Sequence, residues 1–370
     1  MPERMLVYVG TYTDPIKFGT GQIFEGKGKG IYLLELDLLT GELKSHETFT
    51  NIVNPSYLAI NKAGGFLYAV NELKEYLGKA SGSVSAFTMS KATGELSFIN
   101  SQPTNGTDPC HVELNQEGTK LFVSNFMSGS VAVFPIRADG SIDELSQFIQ
   151  HTGSSVNPAR QSGPHAHSLV FSPDKRFAFV PDLGLDKLLI YKTTDGAPAL
   201  IEGDVPYFET VPGAGPRHCA FSPDGKFCYL INELDCTILA LSYDAMNGSF
   251  EKLQSVSSLP EGVGISGNSC ADIHITPDGE YLYGSNRGHN SLVIYGIDKA
   301  TGLLAYAGSR SCGGEIPRNF AIDPTGKYLL CANQNSDDIV VFRIDPATGL
   351  LTETSRFGVP SPVCVKPLVL

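Results

Sequence analysis

A short repeated pattern constrains the fold of this chain more than any other feature of its sequence. The clearest copy, residues 216–233 (PRHCAFSPDGKFCYLINE), has two apolar runs joined by a Ser-Pro-Asp-Gly turn. Short runs of β-forming residues on either side of such a turn predict a β-hairpin. Polar residues lie at both outer ends of the copy. We therefore expect Arg217, His218 and Glu233 to meet at one edge of a small sheet.

The pattern occurs six times in constant register. If Phe221, before the turn, and Asn232, at the far end, are taken as marks, the equivalent marks lie 11 residues apart in every copy. The six copies are residues 55–72, 109–126, 167–183, 216–233, 270–287 and 317–334. Successive marks recur every 47 to 57 residues. A period of this length is typical of propeller blades when the repeating unit is all β.

A second repeated element supplies the other half of each unit. Turns with glycine at the second position, such as those ending at Gly94, Gly302 and Gly349, lie between alternating strand-like runs. An Xaa-Gly turn in this setting is a hairpin signal. Each repeat therefore predicts four antiparallel strands, which is the composition of a propeller blade.

The six copies and the two chain ends together predict seven blades. The runs 6–10 and 31–37 have no preceding innermost strand, and the run 362–365 has no hairpin partner. Pairing the two ends completes a ring and removes two exposed sheet edges. The prediction is therefore an all-β fold, a seven-bladed β-propeller of four-stranded antiparallel blades with one blade closed by N- and C-terminal strands. Residues 1–370 are expected to form a single domain, and residues 14–29 a polar, glycine-rich loop.

Composition limits the possible partners and location. A net charge of -12 and a pI of about 5.1 argue against binding to nucleic acid or to an anionic membrane, because both need a basic patch. The eight cysteines show no metal-binding spacing and indicate buried free thiols in a reducing compartment. No signal-peptide pattern and no apolar run of membrane-spanning length is found. We expect a cytoplasmic protein that is a monomer or a weak homo-oligomer.

The repeat register also identifies two positions per blade where chemistry could reside. One lies four residues before the first mark, and the other directly follows the second mark. A purely structural repeat would keep similar residues at these positions, but here they vary and include His, Arg and Glu. Because both positions lie at strand ends on one rim of the channel, we expect them to converge on one cleft. The residues are Ser56, Cys110, His167, Arg217, Ala271 and Arg318 at the first position, and Glu72, Phe126, Leu183, Glu233, Arg287 and Gln334 at the second.

Structural roles are alternatives for some of these residues. Arg217 and Glu233 could form an ion pair that only stabilises a blade end. Arg318 could simply repeat Arg217. The asparagine at the second mark recurs in nearly every blade, so it is expected to satisfy backbone groups at the strand end.

The histidines have structural alternatives too. His165 and His167 could bond backbone groups in a loop, and as metal ligands they would lack an evident third partner. No metal site is therefore expected. His218 and His111 could pack between blades.

The chain resembles the seven-bladed propeller lactonases, a family that includes bacterial-type 6-phosphogluconolactonase and the fungal 3-carboxy-cis,cis-muconate lactonizing enzyme. The resemblance covers essentially the whole chain. The motifs that carry it are YVGTYT (8–13), PHAH (164–167), DLG (182–184), GPRH (215–218), NE (232–233), SNR (285–287) and PVCV (362–365). The active-site residues proposed for the family are a His, an Arg, a Glu and a second Arg, which fall by motif on His167, Arg217, Glu233 and Arg287.

The resemblance implies a carboxylic-ester hydrolase that converts 6-phosphoglucono-1,5-lactone to 6-phosphogluconate by general acid–base catalysis. Arg217 and Arg287 would bind the anionic groups and the oxyanion. His167 and Glu233 would share the roles of base and acid, in an order that the sequence leaves open. Substrate-binding residues would also include His165 and His218. Neither a metal nor an organic cofactor is expected, and the partner would be a small anionic sugar lactone.

Two other functions stay open at this point. A lactonase or cyclase acting on another acid, such as a carboxymuconate, would share the same four residues. A non-catalytic propeller scaffold that binds a protein on its rim is the competing class. A scaffold has no need of Arg, His and Glu side chains that converge on the channel mouth.

Overall fold

The computed structural model describes residues 5–369, which form thirty β-strands and no α-helix. Residues 1–4 and 370, although part of the single domain expected over 1–370, lie outside the described residues. The strands are, in chain order, β1 (Met5–Thr11), β2 (Ile16–Lys17), β3 (Ile23–Phe24), β4 (Ile31–Leu36), β5 (Leu43–Phe49), β6 (Pro55–Ile60), β7 (Phe66–Asn71), β8 (Ser83–Met89), β9 (Leu96–Pro103), β10 (Pro109–Leu114), β11 (Lys120–Asn125), β12 (Ser130–Pro135), β13 (Gln147–Gln150), β14 (Val170–Phe171), β15 (Phe177–Asp182), β16 (Lys187–Thr193), β17 (Leu200–Glu209), β18 (Pro216–Phe221), β19 (Phe227–Asn232), β20 (Thr237–Asp244), β21 (Ser249–Ser257), β22 (Ser269–Ile275), β23 (Tyr281–Arg287), β24 (Ser291–Ile297), β25 (Leu304–Ser311), β26 (Pro317–Ile322), β27 (Tyr328–Asn333), β28 (Asp338–Ile344), β29 (Leu351–Gly358) and β30 (Pro362–Val369).

Seven four-stranded antiparallel sheets contain all of these strands except β2 and β3. Blades 1 to 6 take their strands in chain order, beginning with β6, β10, β14, β18, β22 and β26, and blade 7 has the order β30-β1-β4-β5. The first strand of each blade faces the centre, where neighbouring first strands contact one another, as β22 does with β18 and β26. The predicted seven-bladed propeller is confirmed.

Blade 7 joins the two ends of the chain, as the sequence predicted. β1 pairs with β30 from Met5 opposite Val369 to Thr11 opposite Pro362, and its other edge pairs with β4. β30 is therefore the innermost strand of this blade. Its other side contacts β6 of blade 1 and β26 of blade 6, so the ring has no open end.

The Ser-Pro-Asp-Gly turns owe their geometry to the side chains that recur in them. In blade 4 the Ser222 hydroxyl donates to Asp224 Oδ1 (2.7 Å) and accepts from the Phe227 amide (3.0 Å). Gly225 has a φ of +73°, a backbone conformation that glycine adopts without steric cost. These bonds close the hairpin tightly and fix the register of its two strands.

A β-bulge in the innermost strand lies at the first site position of blades 1, 2, 4 and 6, and blade 5 has one that spans Ala271 and Asp272. In blades 1, 2, 4 and 6 the pairing register shifts directly after the initial proline, which leaves one residue without a cross-strand partner. Bulges bend a strand and redirect the extra side chain. The extra residues are Ser56, Cys110, Arg217 and Arg318. The fold therefore presents a variable side chain at the channel mouth in each of these blades.

Buried tyrosines link neighbouring blades. In four blades a tyrosine of the second strand donates its hydroxyl proton to a glycine carbonyl in the Xaa-Gly turn of the next blade. Buried hydroxyls of this kind need a partner, so each bond fixes one blade against the next. The bonds are Tyr8 to Gly94 (2.6 Å), Tyr68 to Gly140 (3.0 Å), Tyr229 to Gly302 (3.0 Å) and Tyr283 to Gly349 (2.7 Å).

The asparagine at the second mark has the structural role that its repetition predicted. It donates to a backbone carbonyl in blades 1, 5 and 6, through Asn71, Asn286 and Asn333. In blades 2 and 4 the bond goes instead to a hydroxyl group, from Asn125 to Ser130 and from Asn232 to Thr237. These bonds hold the strand ends from which the site residues project.

Residues 14–29 differ from the simple loop that the sequence predicted. β2 and β3 pair within this segment, with Ile16 opposite Phe24 and Lys17 opposite Ile23. The rings of Phe18 and Phe24 pack on Tyr12, with centroids 5.9 Å and 6.0 Å away. Two-residue strands are too short to produce a recognisable period, which is why the pattern did not reveal them.

Within residues 5–369, no helix offers an apolar stretch that could cross a bilayer.

Candidate active site

A cavity of about 230 Å³ opens at the channel mouth, beneath the β2–β3 hairpin. Strand ends and loops from different blades contribute to its wall, as the repeat register predicted. A space of this size accepts a small molecule rather than a polymer. The charged and histidine side chains that line it are Lys17, Glu72, Asp108, Arg160, His167, Glu233, Arg287 and Arg318.

Glu233, the residue after the second mark of blade 4, is contacted by three guanidinium groups. Its Oε1 lies 2.6 Å from Arg160 Nη2, and its Oε2 lies 2.9 Å from Arg287 Nη2 and 3.1 Å from Arg217 Nε. Burial alone would raise the pKa of this carboxyl. Arg287, Arg160 and Arg217 outweigh that effect and hold the pKa of Glu233 well below its usual range. Glu233 is therefore an anion at neutral pH and a weak proton acceptor.

Arg217 lies deeper in the channel than the other predicted site residues. Its side chain is only 3% exposed, and it borders a smaller cavity together with His167 and His218. Besides its bond to Glu233, it donates through Nη1 to the carbonyl of Ala271. Burial and the neighbouring Arg287 lower the pKa of Arg217 to about 10, so the group keeps its charge at neutral pH.

His167 reaches the same cavity from blade 3. Its Nδ1 is 3.9 Å from Cys110 Sγ, and its ring lies edge-on to those of Phe126 and His218, at 5.3 Å and 5.2 Å. Nε2 forms no hydrogen bond with any residue in the described range. Burial, together with the positive charge of Arg217, holds the pKa of His167 well below its ordinary value. The imidazole is thus neutral at pH 7 and can accept a proton.

His218 lies behind Arg217 in the channel. Its Nδ1 is 2.7 Å from Asp272 Oδ1, and its Nε2 is 3.5 Å from Arg217 Nη1. Asp272 Oδ2 also contacts His274 Nε2 (3.1 Å) and Asn319 Nδ2 (2.5 Å). The larger cavity is not lined by His218, so its contact with substrate stays a prediction. What the structure shows is a chain of contacts that holds Arg217 in place.

His165 lies one layer behind the cavity wall. Its Nδ1 is 2.9 Å from the carbonyl oxygen of Phe126, and its ring stacks on the Phe126 ring at 4.7 Å. Phe126 lines the cavity, whereas His165 does not. The predicted contact of His165 with substrate is therefore still a prediction, and its observed contacts are with Phe126.

Arg160 is a site residue that the sequence analysis missed, as are Lys17 and Asp108. Arg160 belongs to the connection between β13 and β14, outside the repeated pattern, so no register position pointed to it. It lines the cavity and bonds to Glu233. Arg318, by contrast, lies at a register position, but its sequence pattern also allowed a purely structural role as a repeat of Arg217.

Across residues 5–369, no group of three or more His, Cys, Asp or Glu side chains is arranged to hold a metal ion.

Comparison with known families identifies the group to which this propeller belongs. The model of the family described as lactonase, 7-bladed beta-propeller, matches residues 6–367. The chain belongs to this family. The resemblance inferred from the motifs is thereby confirmed, together with the all-β, seven-bladed architecture.

Several members of this lactonase family are similar to the chain over most of its length. A 6-phosphogluconolactonase of Bacillus subtilis is 37% identical over 317 residues, which cover 86% of this chain and 84% of the relative. A 6-phosphogluconolactonase of Formosa agariphila is 35% identical over 321 residues, 85% of this chain and 86% of the relative. The solved structure of a periplasmic gluconolactonase of Pseudomonas aeruginosa superimposes with a TM-score of 0.89 at 34% identity, covering 99% of both chains.

Proposed function

We propose that this protein hydrolyses the ester bond of a sugar-acid lactone, and specifically that it converts 6-phosphoglucono-1,5-lactone to 6-phosphogluconate. The observation that carries the proposal is the placement of a neutral imidazole, His167, beside a guanidinium-bound carboxylate, Glu233, in one small cavity. The names of the Bacillus subtilis and Formosa agariphila relatives support the phosphorylated substrate.

In this mechanism His167 is the group that moves the proton. A water molecule attacks the carbonyl carbon C1 while Nε2 of His167 accepts one of its protons. The tetrahedral intermediate then collapses, the bond from C1 to the ring oxygen breaks, and His167 returns the proton to that oxygen, which leaves as the C5 hydroxyl. The lowered pKa of His167 keeps it in the neutral form that the first step needs.

Glu233 and the arginines supply charge and position rather than proton transfer. Both oxygens of the Glu233 carboxylate are occupied by guanidinium partners, whereas Nε2 of His167 has no partner among the described residues and can accept the water proton. Arg287 lines the cavity, and its Nη1 forms no hydrogen bond with any described residue, so this nitrogen can donate to the oxyanion that develops on the carbonyl. Arg217, on the deeper side of the cavity, donates a hydrogen bond from Nε to Oε2 of Glu233. The reaction as proposed uses these side chains alone, without a metal or an organic cofactor.

We further propose that residues 1–370 act as a single domain in the cytoplasm, as a monomer or weak homo-oligomer without nucleic-acid or membrane partners. All eight cysteines are free, and six of them lie in three contacting pairs, Cys219 with Cys228, Cys236 with Cys270 and Cys312 with Cys331. Contacting thiols persist in a reducing compartment. The net charge of -12 disfavours polyanionic partners.

The test is a lactonase assay with purified protein and 6-phosphoglucono-1,5-lactone, corrected for spontaneous hydrolysis. We expect turnover above background, and a loss of about 10²- to 10⁴-fold in kcat for His167→Ala. Glu233→Gln should also lose activity, because the guanidinium groups around it are no longer fixed. His46→Ala, at an exposed histidine, is the matched control. Near-normal turnover in His167→Ala would refute the mechanism. A preference for a carboxymuconate lactone would show that the proposed substrate is wrong.

A further inference from the structure

Arg318 differs from the other arginines of the site. Arg160, Arg217 and Arg287 all contact Glu233, at 2.6, 3.1 and 2.9 Å. The guanidinium group of Arg318 forms no hydrogen bond and no ion pair with any residue in the range 5–369, yet it lines both the larger cavity and the smaller one beneath it. The Arg318 side chain is only partly buried, because it borders the cavity. Its N–H groups are therefore open to a ligand that enters there.

Two aromatic rings hold Arg318 in place. Its Cζ lies 5.5 Å from the ring centroid of Tyr12 and 5.3 Å from that of Phe18, which belongs to the β2–β3 hairpin. Cation–π contacts of this kind hold the guanidinium group without using its N–H groups as hydrogen-bond donors. In-plane donors match the geometry of two phosphate or carboxylate oxygens. The bulge at Arg318 directs the side chain to this position.

Two acidic side chains that line the cavity, Glu72 and Asp108, have hydrogen-bond or ion-pair partners other than Arg318. The Oε2 of Glu72 accepts the hydroxyl proton of Tyr12 at 2.9 Å, and the carboxylate of Asp108 pairs with Lys74 at 2.6 Å. Neither carboxylate forms an ion pair with Arg318. Burial would lower the pKa of Arg318, but the charges of Tyr12, Glu72 and Glu233 raise it, so the group stays a cation. Since none of them accepts a hydrogen bond from its guanidinium group, these N–H donors stay available to a ligand anion.

Arg318 and His167 reach the cavities from different blades. His167 projects from blade 3 and Arg318 from blade 6, and both side chains line the larger and the smaller cavity. Lys17 of β2, next to Phe18, also lines the cavity and forms no ion pair with a described residue. A sugar lactone whose carbonyl lies at His167 would extend its C6 substituent toward this pair of cations.

We propose that Arg318, assisted by Lys17, binds the phosphate of the lactone and makes the site selective for phosphorylated over unphosphorylated sugar lactones. This inference rests on the proposed lactone hydrolysis and assigns the recognition of the phosphate to residues outside the four predicted catalytic ones. It gives the hairpin a role, because Phe18 supports Arg318 and Lys17 adds a second positive charge.

The first test compares kcat/KM for 6-phosphoglucono-1,5-lactone with that for glucono-1,5-lactone. The ratio of the two should exceed about 10² in the wild type, and Arg318→Met should lower it about 30-fold or more, chiefly through KM. Arg318→Lys should restore part of the ratio, since it keeps the charge but not the planar donors. Lys17→Met should have a smaller effect. Arg310→Met, at an exposed arginine of β25, is the control. A ratio near one in the wild type, or one unchanged in Arg318→Met, would overturn the proposal.

The second test does not depend on turnover. Calorimetric titration should show wild-type protein binding 6-phosphogluconate at least about tenfold more tightly than gluconate, with the preference lost in Arg318→Met. This result without lactone hydrolysis would support the phosphate subsite while refuting the proposed reaction. Hydrolysis of both lactones without any binding preference would support the proposed reaction and refute the phosphate subsite.

Discussion

Oε1 of Glu233 lies 2.6 Å from Nη2 of Arg160, a residue of the connection between blades 2 and 3. The other carboxylate oxygen is shared by Arg217 and Arg287, which come from blades 4 and 5. A non-repeating segment thus completes a charge cluster that is otherwise built from repeated positions. The cluster has more positive than negative charge, which suits a site for a developing oxyanion.

Arg160→Met should lower kcat about 10- to 100-fold, because Oε1 of Glu233 loses its charge-assisted bond and the carboxylate can rotate away from Arg287. The KM should change less than kcat if Arg160 acts through Glu233. Steady-state kinetics measure both. Arg176→Met, at a surface arginine whose side chain is 56% exposed and pairs with Asp174, should leave both constants unchanged. Equal kinetics for Arg160→Met and wild type would show that Arg160 is dispensable.

The pH profile of kcat/KM tests the role of His167. Its pKa lies well below the ordinary value of 6.5, so the neutral form persists through that pH. We expect kcat/KM to stay flat from about pH 8 to about pH 6, whereas an exposed histidine base would lose half its activity near 6.5. The measurement needs subtraction of the spontaneous hydrolysis at each pH. A fall centred near 6.5 would contradict the assignment.

The buried histidines also make the stability of the folded protein depend on pH. Burial lowers the pKa values of His111 and His167 well below 6.5 and that of His218 to about 4, so the unfolded chain binds more protons than the folded one below pH 6.5. The free energy of unfolding should therefore decrease as the pH falls from 7.5 to 5. Asp108, whose pKa burial raises to about 6, acts in the opposite sense, as do Glu113 and Asp235, whose pKa values burial also raises. Because carboxyl groups take up protons mainly at the lower end of this pH range, the histidines determine the direction of the change. Urea denaturation at the two pH values measures the difference, and greater stability at pH 5 would refute the prediction.

Asp272→Asn tests the contacts behind Arg217. Burial would raise the pKa of Asp272, but His274 and His218 hold it well below the usual range, so the carboxylate is ionised when it accepts their hydrogen bonds. The variant should lower the free energy of unfolding by about 2 kcal/mol, because hydrogen bonds to a buried charge are lost. It should also lower kcat more than it changes KM, since Arg217 shifts beneath Glu233. Asp204→Asn, with an 82% exposed side chain, should alter neither quantity. Unchanged stability and kinetics in Asp272→Asn would show that the contacts of Asp272 neither stabilise the fold nor position Arg217.

Tyr283→Phe tests the bonds between blades. Removing the hydroxyl leaves the Gly349 carbonyl without its 2.7 Å partner, so the free energy of unfolding should fall by about 1 kcal/mol. Denaturant unfolding measures this, with Tyr306→Phe at a 55% exposed tyrosine as the control. Blades 2 and 3 carry Phe122 and Phe179 at the equivalent position, so the ring tolerates the loss at some interfaces. If both variants unfold alike, the hydroxyl bonds contribute nothing to stability.

The features of the fold that recur from blade to blade were predictable from the sequence. The hairpins, the seven blades and the closure by the chain ends followed from positions that recur at a fixed spacing, and the cavity residues Glu72, His167 and Glu233 lay at marked register positions. Arg160 could not be found in this way, because its segment has no counterpart in other blades. The bond from Arg160 to Glu233 joins residues 73 apart, a contact that only the packing of neighbouring blades creates.

The roles of residues were harder to predict than their positions. Arg217 and Arg318 occupy equivalent bulges, and the sequence offered a structural reading for both. Only the packing distinguishes them. Arg217 is bonded to Glu233, whereas Arg318 lies over the rings of Tyr12 and Phe18 and forms no hydrogen bond with any residue in the range 5–369. Phe18 lies in a hairpin too short to leave a periodic signal.

The placement of β30 at the centre of blade 7 has a consequence for biosynthesis. Residues 362–369 are translated after all the other strands, yet Val363 forms part of the wall of the inner cavity beside Arg318 and His167. A nascent chain from which residues 362–369 have not yet emerged lacks the innermost strand of blade 7 and cannot complete the channel. Activity would therefore begin only after the last strand leaves the exit tunnel and inserts beside β1.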